Sequence, residues 1–210
     1  MPHDDFEIEP IEGLPERPPE GEEILWQGRP DWFALARESL WLYPVAAYFV
    51  ILTIWRFISV VDLMPVGQAI GAALPFVILG LIVCGLLMLT AFVQARATMY
   101  TVTTSRVVMR IGAALTLTVN LPFKEIGTAS LDLRRSGTGT IAFETIGRAR
   151  LSYLVLWPHV RPWRMSPSQP ALRAVPDAKS VAALIADHAE AVINEPVLMR
   201  IDASQPVAAE

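Results

Sequence analysis

Residues 70–112, IGAALPFVILGLIVCGLLMLTAFVQARATMYTVTTSRVVMRIG, change character midway. From Ile70 to Val93 there is no charge at all, and a helix of that length covers a hydrocarbon core of about 30 Å. From Ala97 onward the period becomes two, and YTVTTSRVVMRIG, 100–112, reads as a strand, a turn and a second strand. The chain thus ends an apolar span and at once builds a small β domain.

Upstream, LWLYPVAAYFVILTIWRFI, 40–58, is a second apolar run, with Trp41 and Tyr43 at one end and Trp55 at the other, as interfacial aromatics are placed. Pro44 is tolerable near a helix start. Arg56 falls in the expected last turn, where its stem lies in hydrocarbon and its guanidinium snorkels outward. The two spans, 40–59 and 69–94, form an antiparallel hairpin across a link from Val60 to Gln68. Arg29 and Arg37 precede it and Arg96, Arg106 and Arg110 follow, while the link carries only Asp62. The positive-inside rule then puts both termini in the cytoplasm. Gly67 with Gly71, and Gly80 with Cys84, are small-residue pairs at helical spacing, suited to packing within the hairpin or to a homodimer seam.

Composition agrees. Of 210 residues 53% are apolar, and the excess is concentrated between Leu40 and Val93. The net charge of −4 hides an asymmetry: Met1 to Glu38 holds eleven acidic and three basic residues, Gln94 to Arg164 ten basic and three acidic. Cys84 is the single cysteine, so neither a disulfide framework nor a thiolate cluster is available. The opening, MPHDDFEIEPIEGLPERPPEGEE, lacks the basic and apolar regions of a signal peptide. Its carboxylates and prolines predict a flexible acidic tail over 1–22. The segment 23–39, with Ile24, Leu25 and Trp26 before a Gly28-Arg29-Pro30 break and an amphipathic stretch Asp31 to Glu38, packs on the β domain or lies at the membrane surface.

Downstream, LTLTVNL (115–121), ASLDLR (129–134) and TIAFET (140–145) alternate as half-buried strands, punctuated by Gly112, Gly127, SGTG (136–139) and Gly147. RLSYLVLW, 150–157, is too short to span and reads as a buried strand; the proline-rich 157–176 reads as a surface passage. Asp177 is an N-cap for a last helix whose Val181, Leu184, Ile185, His188 and Val192 share one face. The expected architecture is membrane α+β: a two-helix transmembrane hairpin, then a small antiparallel β-barrel or sandwich (97–194) of five or six strands closed by a C-terminal amphipathic helix, and a flexible tail over 195–210.

Catalytic chemistry is not legible. His3, His159 and His188 all lie outside the spans, so no axial ligand is offered at bilayer depth. No nucleophile elbow, Walker loop, HExxH or CxxC occurs, and the GTG at 137–139 is a hairpin turn because a strand follows it. No catalytic, cofactor or metal residue is assigned, and neither enzyme activity nor a nucleic-acid partner is expected. Arg134, Arg135, Arg148 and Arg150 gather at strand ends, where they touch anionic headgroups, or else are solvated or pair with the acidic tail. Trp163 and Arg164 join them as headgroup or partner contacts. Trp26, Trp32, Trp157 and Trp163 are either interface anchors or core.

GEEILWQGRPDW (21–32) before a hairpin, then YTVTTSRVVMRIG and VNLPFKEI (119–126), resembles the bacterial pleckstrin-homology-like layout in which Y-x-V-T-x-x-R opens a membrane-tethered β domain. With DLRRSGTGTIAFE (132–144) and SQPALRAVPDAKSVAALIADHA (168–189), the chain from about Glu22 to His188 resembles the PuhB family of photosynthetic complex assembly proteins of purple bacteria. That resemblance implies a non-enzymatic factor of the bacterial inner (intracytoplasmic photosynthetic) membrane that promotes assembly of the reaction centre and, through it, the core light-harvesting complex. It implies reaction-centre subunits and possibly core light-harvesting subunits as partners, besides membrane lipids, makes self-association plausible, and offers no catalytic residues to carry over. The competing classes are a stoichiometric structural subunit of that complex and a general membrane-tethered PH-like module binding lipid or protein.

Overall fold

A computed structural model describes Ile11, residues 13–14, 16–113, 116–146 and 152–193. Its first strand, β1 (Ile24–Gly28), precedes the helices: α1 (Trp32–Glu38), α2 (Leu42–Val61) and α3 (Val66–Ala97). Only then comes β2 (Met99–Thr103), and β1 pairs with it antiparallel, Gly28 opposite Tyr100 and Gln27 opposite Thr101. The β domain therefore does not simply follow the hairpin; the hairpin is inserted into the first ladder of the domain. Both ends of the insertion are tied to one sheet.

Helix lengths set the rest of the geometry. The 20 residues of α2 and 32 of α3 give axes of about 30 and 48 Å, so the last turns of α3 run past the start of α2. The short α1 packs along that overhang. Ala34 and Leu35 meet Ala95 and Ala174, and Ala36, Leu40 and Leu42 meet Ala91, small side chains that allow close backbone approach. At the far end α2 and α3 are joined by residues 62–65 alone, a shorter link than 60–68, which leaves Arg56 inside α2 rather than in its last turn. Gly80 faces Phe49, whose Cβ would lie 2.8 Å from any Cβ added there. The outer faces, among them Ile51, Ile58, Leu81 and Leu86, are exposed and apolar, and both helices are long and apolar enough to cross a membrane.

The remaining elements are β3 (Arg106–Ile111), β4 (Leu117–Pro122), a 3-10 turn (Phe123–Glu125), β5 (Ile126–Leu133), β6 (Gly139–Thr145), α4 (Tyr153–Leu156), β7 (Val160–Met165), β8 (Ser168–Val175) and α5 (Ala178–Ile193). Two four-stranded antiparallel sheets result, ordered β1-β2-β3-β4 and β5-β6-β8-β7; the described residues within 97–194 hold seven strands rather than five or six, and β1 adds an eighth. Val102, Val107, Phe123, Phe143 and Leu172 fill the core between the sheets, and α5 covers it with Val181 and Ile185. Asp177 precedes α5 with φ +52°, and its backbone carbonyl accepts the N–H groups of Ser180 and Val181.

Three further expectations are corrected. The proline-rich passage holds β7 and β8, and β8 is buried at seven of its eight positions because one face meets the core while the other meets α1 and the foot of the hairpin. The strand expected over 150–157 is, over its described part, the helical turn α4, closed by Leu156 N–H to Ser152 O at 3.1 Å; Leu156 alone of that turn is fully buried. Of the flexible acidic tail expected over 1–22, several described residues are held against the β domain. Leu14 is buried, Gly13 (φ +88°) seats against Met99 where any Cβ would overlap that side chain, and Glu22 pairs with Arg106.

Candidate functional site at the foot of the hairpin

The Y-x-V-T-x-x-R stretch resolves into four structural roles around the β2–β3 turn. Val102 is core. Thr103 Oγ1 accepts the N–H groups of Ser105 (3.3 Å) and Arg106 (3.1 Å) and donates to Arg106 O (3.0 Å), closing the turn. Arg106 donates Nε and Nη2 to the two oxygens of Glu22 at 2.8 and 2.9 Å, a bidentate pair. Partial burial works to raise the Glu22 carboxyl, but Arg106 with the hydroxyls of Thr103 and Ser105 outweighs it and holds the group below its ordinary value.

Tyr100, the fourth, begins a buried relay. Its hydroxyl accepts Arg173 N–H at 3.1 Å and lies 2.6 Å from His159 Nδ1, while His159 Nε2 lies 3.1 Å from Thr98 Oγ1. A tyrosine has one proton to give, so the arrangement that leaves nothing unpaired has Tyr100 donating to Nδ1 and a neutral His159 donating from Nε2 to Thr98. Burial, aided by the Arg173 charge, pushes His159 down to about 3; burial likewise raises the Tyr100 hydroxyl above its ordinary value. The relay binds the exit of α3 to the α4–β7 loop and to β8.

Arg173 itself is the second clamp. From β8 its Nη2 donates to the Glu38 carbonyl (3.2 Å) and to Ser39 Oγ (2.9 Å), satisfying the C-terminal end of α1, where a cation is favoured. The Glu38 carboxylate takes Arg37 on Oε1 at 2.9 Å, while Oε2 makes no hydrogen bond and sits 3.7 Å from Arg134 Nε. Asp31 N–H, at the other end of α1, donates to Ala174 O at 2.8 Å. Ala174 has φ +52°, as Trp41 has +57° and Trp163 +62°. Such left-handed conformations are costly outside glycine, and three of the four among the described residues occur at this foot.

Open space surrounds the clamp. A cleft of about 760 Å³ is lined by Arg37, Glu38, Trp41, Pro44, Arg134 and Arg135. A crevice of about 180 Å³ that also borders Trp41 is walled by Tyr153, Trp157, Trp163 and Met165, with Ser39 and Arg173 also lining it. Trp41 and Trp163 meet edge to face, centroids 5.8 Å apart.

The residues singled out from sequence fall out as follows. Arg134 and Arg135 line the larger cleft, Arg134 also pairing with Asp132 at 3.1 Å. Trp163, which lines the smaller crevice, and the exposed Arg164 lie on β7. Arg148 and Arg150 lie outside the described residues. Gly80 and the half-buried Cys84 both line an apolar crevice of about 250 Å³ between α2 and α3, whereas Gly67 and Gly71 face open space. Trp26 packs against the core, Trp32 lies edge to face with Phe92, and Trp157 and Trp163 are exposed. Tyr100, His159 and Arg173 went unassigned because each meets its partners across at least 59 residues of chain, beyond any local spacing, and Glu38 because Arg173 reaches its carbonyl across 135; only the Tyr100 motif pointed to one of them.

The profile of the family described as Bacterial PH domain matches residues 39–189, and the chain belongs to that family; β1 and α1 precede the matched region. A Rhodobacter capsulatus protein, named as an uncharacterized 23.7 kDa protein in the puhA 5' region, is 43% identical over 200 residues, covering 93% of this chain and 92% of the relative. No solved structure matches the chain.

Proposed function

We propose that this is a non-enzymatic factor with a PuhB-like role, anchored by α2 and α3 in the bacterial inner photosynthetic membrane with both termini cytoplasmic. It promotes assembly of the reaction centre and its core light-harvesting complex. The observation that carries this reading is the near full-length 43% identity to a protein encoded beside puhA, a reaction-centre gene region. The fold supports it physically. A domain tied at both ends of its hairpin stays within reach of the headgroup layer, where polar parts of newly inserted subunits emerge, and such tethering raises the effective concentration of weakly binding partners. His159, buried and neutral between Tyr100 and Thr98, works as a structural relay and not as a general base.

The cleft of Arg37, Arg134 and Arg135 beside Trp41 and Pro44 suits anionic headgroups, each basic side chain contributing about 1 kcal/mol near the surface. Arg134→Gln with Arg135→Gln is expected to lower enrichment of phosphatidylglycerol around the reconstituted chain; unchanged enrichment would remove that contact. Stoichiometry tests the factor itself. Quantitative mass spectrometry should find it well below the reaction centre in membranes and missing from the purified core complex, whereas one copy per purified complex would make it a structural subunit.

A further inference from the structure

We propose that the edge of the β domain formed by α4, Trp157 and β7 is a second membrane contact, seated in the interfacial layer of the bilayer beside the start of α2. This rests on the reading that α2 and α3 span that bilayer. The edge is apolar and open: Leu154 is 84% exposed, Trp163 75%, Met165 68% and Val155 60%. Contiguous exposure of this kind marks a surface that is covered in the working molecule.

Its position says by what. The Trp163 ring rests on Trp41, the residue immediately before α2. Trp157 lines the crevice shared with Ser39 and Trp41 and also a second one shared with Gln94, in the last turn of α3. The edge therefore touches the same end of both spans. The two clamps and the β1–β2 ladder keep it there, since the domain cannot swing away without breaking the His159 relay or the Arg173 cap. Composition fits a lipid interface: Trp157 and Trp163 are interfacial residues, and the exposed Arg164, next to Trp163 in the chain, has a long stem that lets its charge reach headgroups. Left-handed backbone at both Trp41 and Trp163 turns the two rings to one point.

The test uses the full chain carrying Cys84→Ser, with a single cysteine at Met165→Cys, Glu190→Cys or Ile78→Cys, each labelled with a polarity-sensitive dye. The chains are reconstituted in phosphatidylcholine–phosphatidylglycerol vesicles holding no other protein. The dye at 165 should be blue-shifted against that at 190 and quenched several-fold more by a lipid nitroxide near the glycerol level than by aqueous iodide. Equal iodide access at 165 and 190, with 78 protected, would overturn the proposal and leave the spans intact. Iodide access at 78 would instead remove the spanning reading and the proposal with it. A blue shift at 165 in native membranes that is absent in the vesicles would assign the edge to a protein partner and likewise overturn it.

Discussion

At the scale of single residues, the foot of the hairpin depends on two buried polar side chains that each close a long loop of chain. His159 has a folded value near 3 against an unfolded value of about 6.5. As pH falls below 6.5 the unfolded chain takes up the proton first, so stability is full above that point and declines by up to about 1.4 kcal/mol per pH unit toward 3. Melting of the detergent-solubilised chain between pH 7 and 5, above the range where Glu22 protonates, should show this slope, and His159→Gln should flatten it. Arg173→Met removes the donors to the Glu38 carbonyl and Ser39 Oγ that cap α1, together with a cation that favours the Glu38 carboxylate. That carboxylate keeps Arg37, so the loss is on the order of 2 kcal/mol. Adding Glu38→Gln should return part of it. A melting temperature unmoved by Arg173→Met would mean that the clamp carries no stability.

At the scale of elements, packing decides which small residues matter. Gly80 lies under Phe49, and Gly80→Leu should force α2 and α3 apart and lower the melting temperature by several degrees, since overpacking typically costs about 1–3 kcal/mol. Gly71→Leu meets open space and should leave the hairpin unmoved; its effect on cross-linked dimer yield then reports whether Gly67 and Gly71 line a seam between copies. The spans were legible because their signal is local and continuous, as were β2, β3 and the turn at Gly137. The strand β1 was not, since its partner lies about seventy residues on, across the whole hairpin. Nor was β8, whose alternating polar positions, Gln169 and Arg173 among them, face not water but other parts of the same chain, Arg161 in one case and the end of α1 in the other. Buried polar partners erase the period that a half-exposed strand would display. Trp163 was legible as exposed but not as the neighbour of Trp41, because that contact is made by folding alone.

At the scale of the molecule, inserting the hairpin into the first ladder makes anchor and domain one body. A β domain trailing from a span could swing on its linker; this one enters through β1, returns through β2 and is held between by α1, Arg173 and His159. What it presents is a fixed platform at the foot of the two long apolar helices, where an arginine-lined cleft and an aromatic crevice both border Trp41. Under the proposed assembly role, such a platform would meet subunits arriving in the same plane.

The decisive measurement is the near-infrared absorption of membranes from a deletion strain, followed as cells shift from aerobic to phototrophic growth beside a complemented control. Reaction-centre and core-antenna bands should fall while any peripheral antenna band persists. An unchanged spectrum would contradict a role in photosynthetic assembly and leave a general membrane-tethered PH-like module.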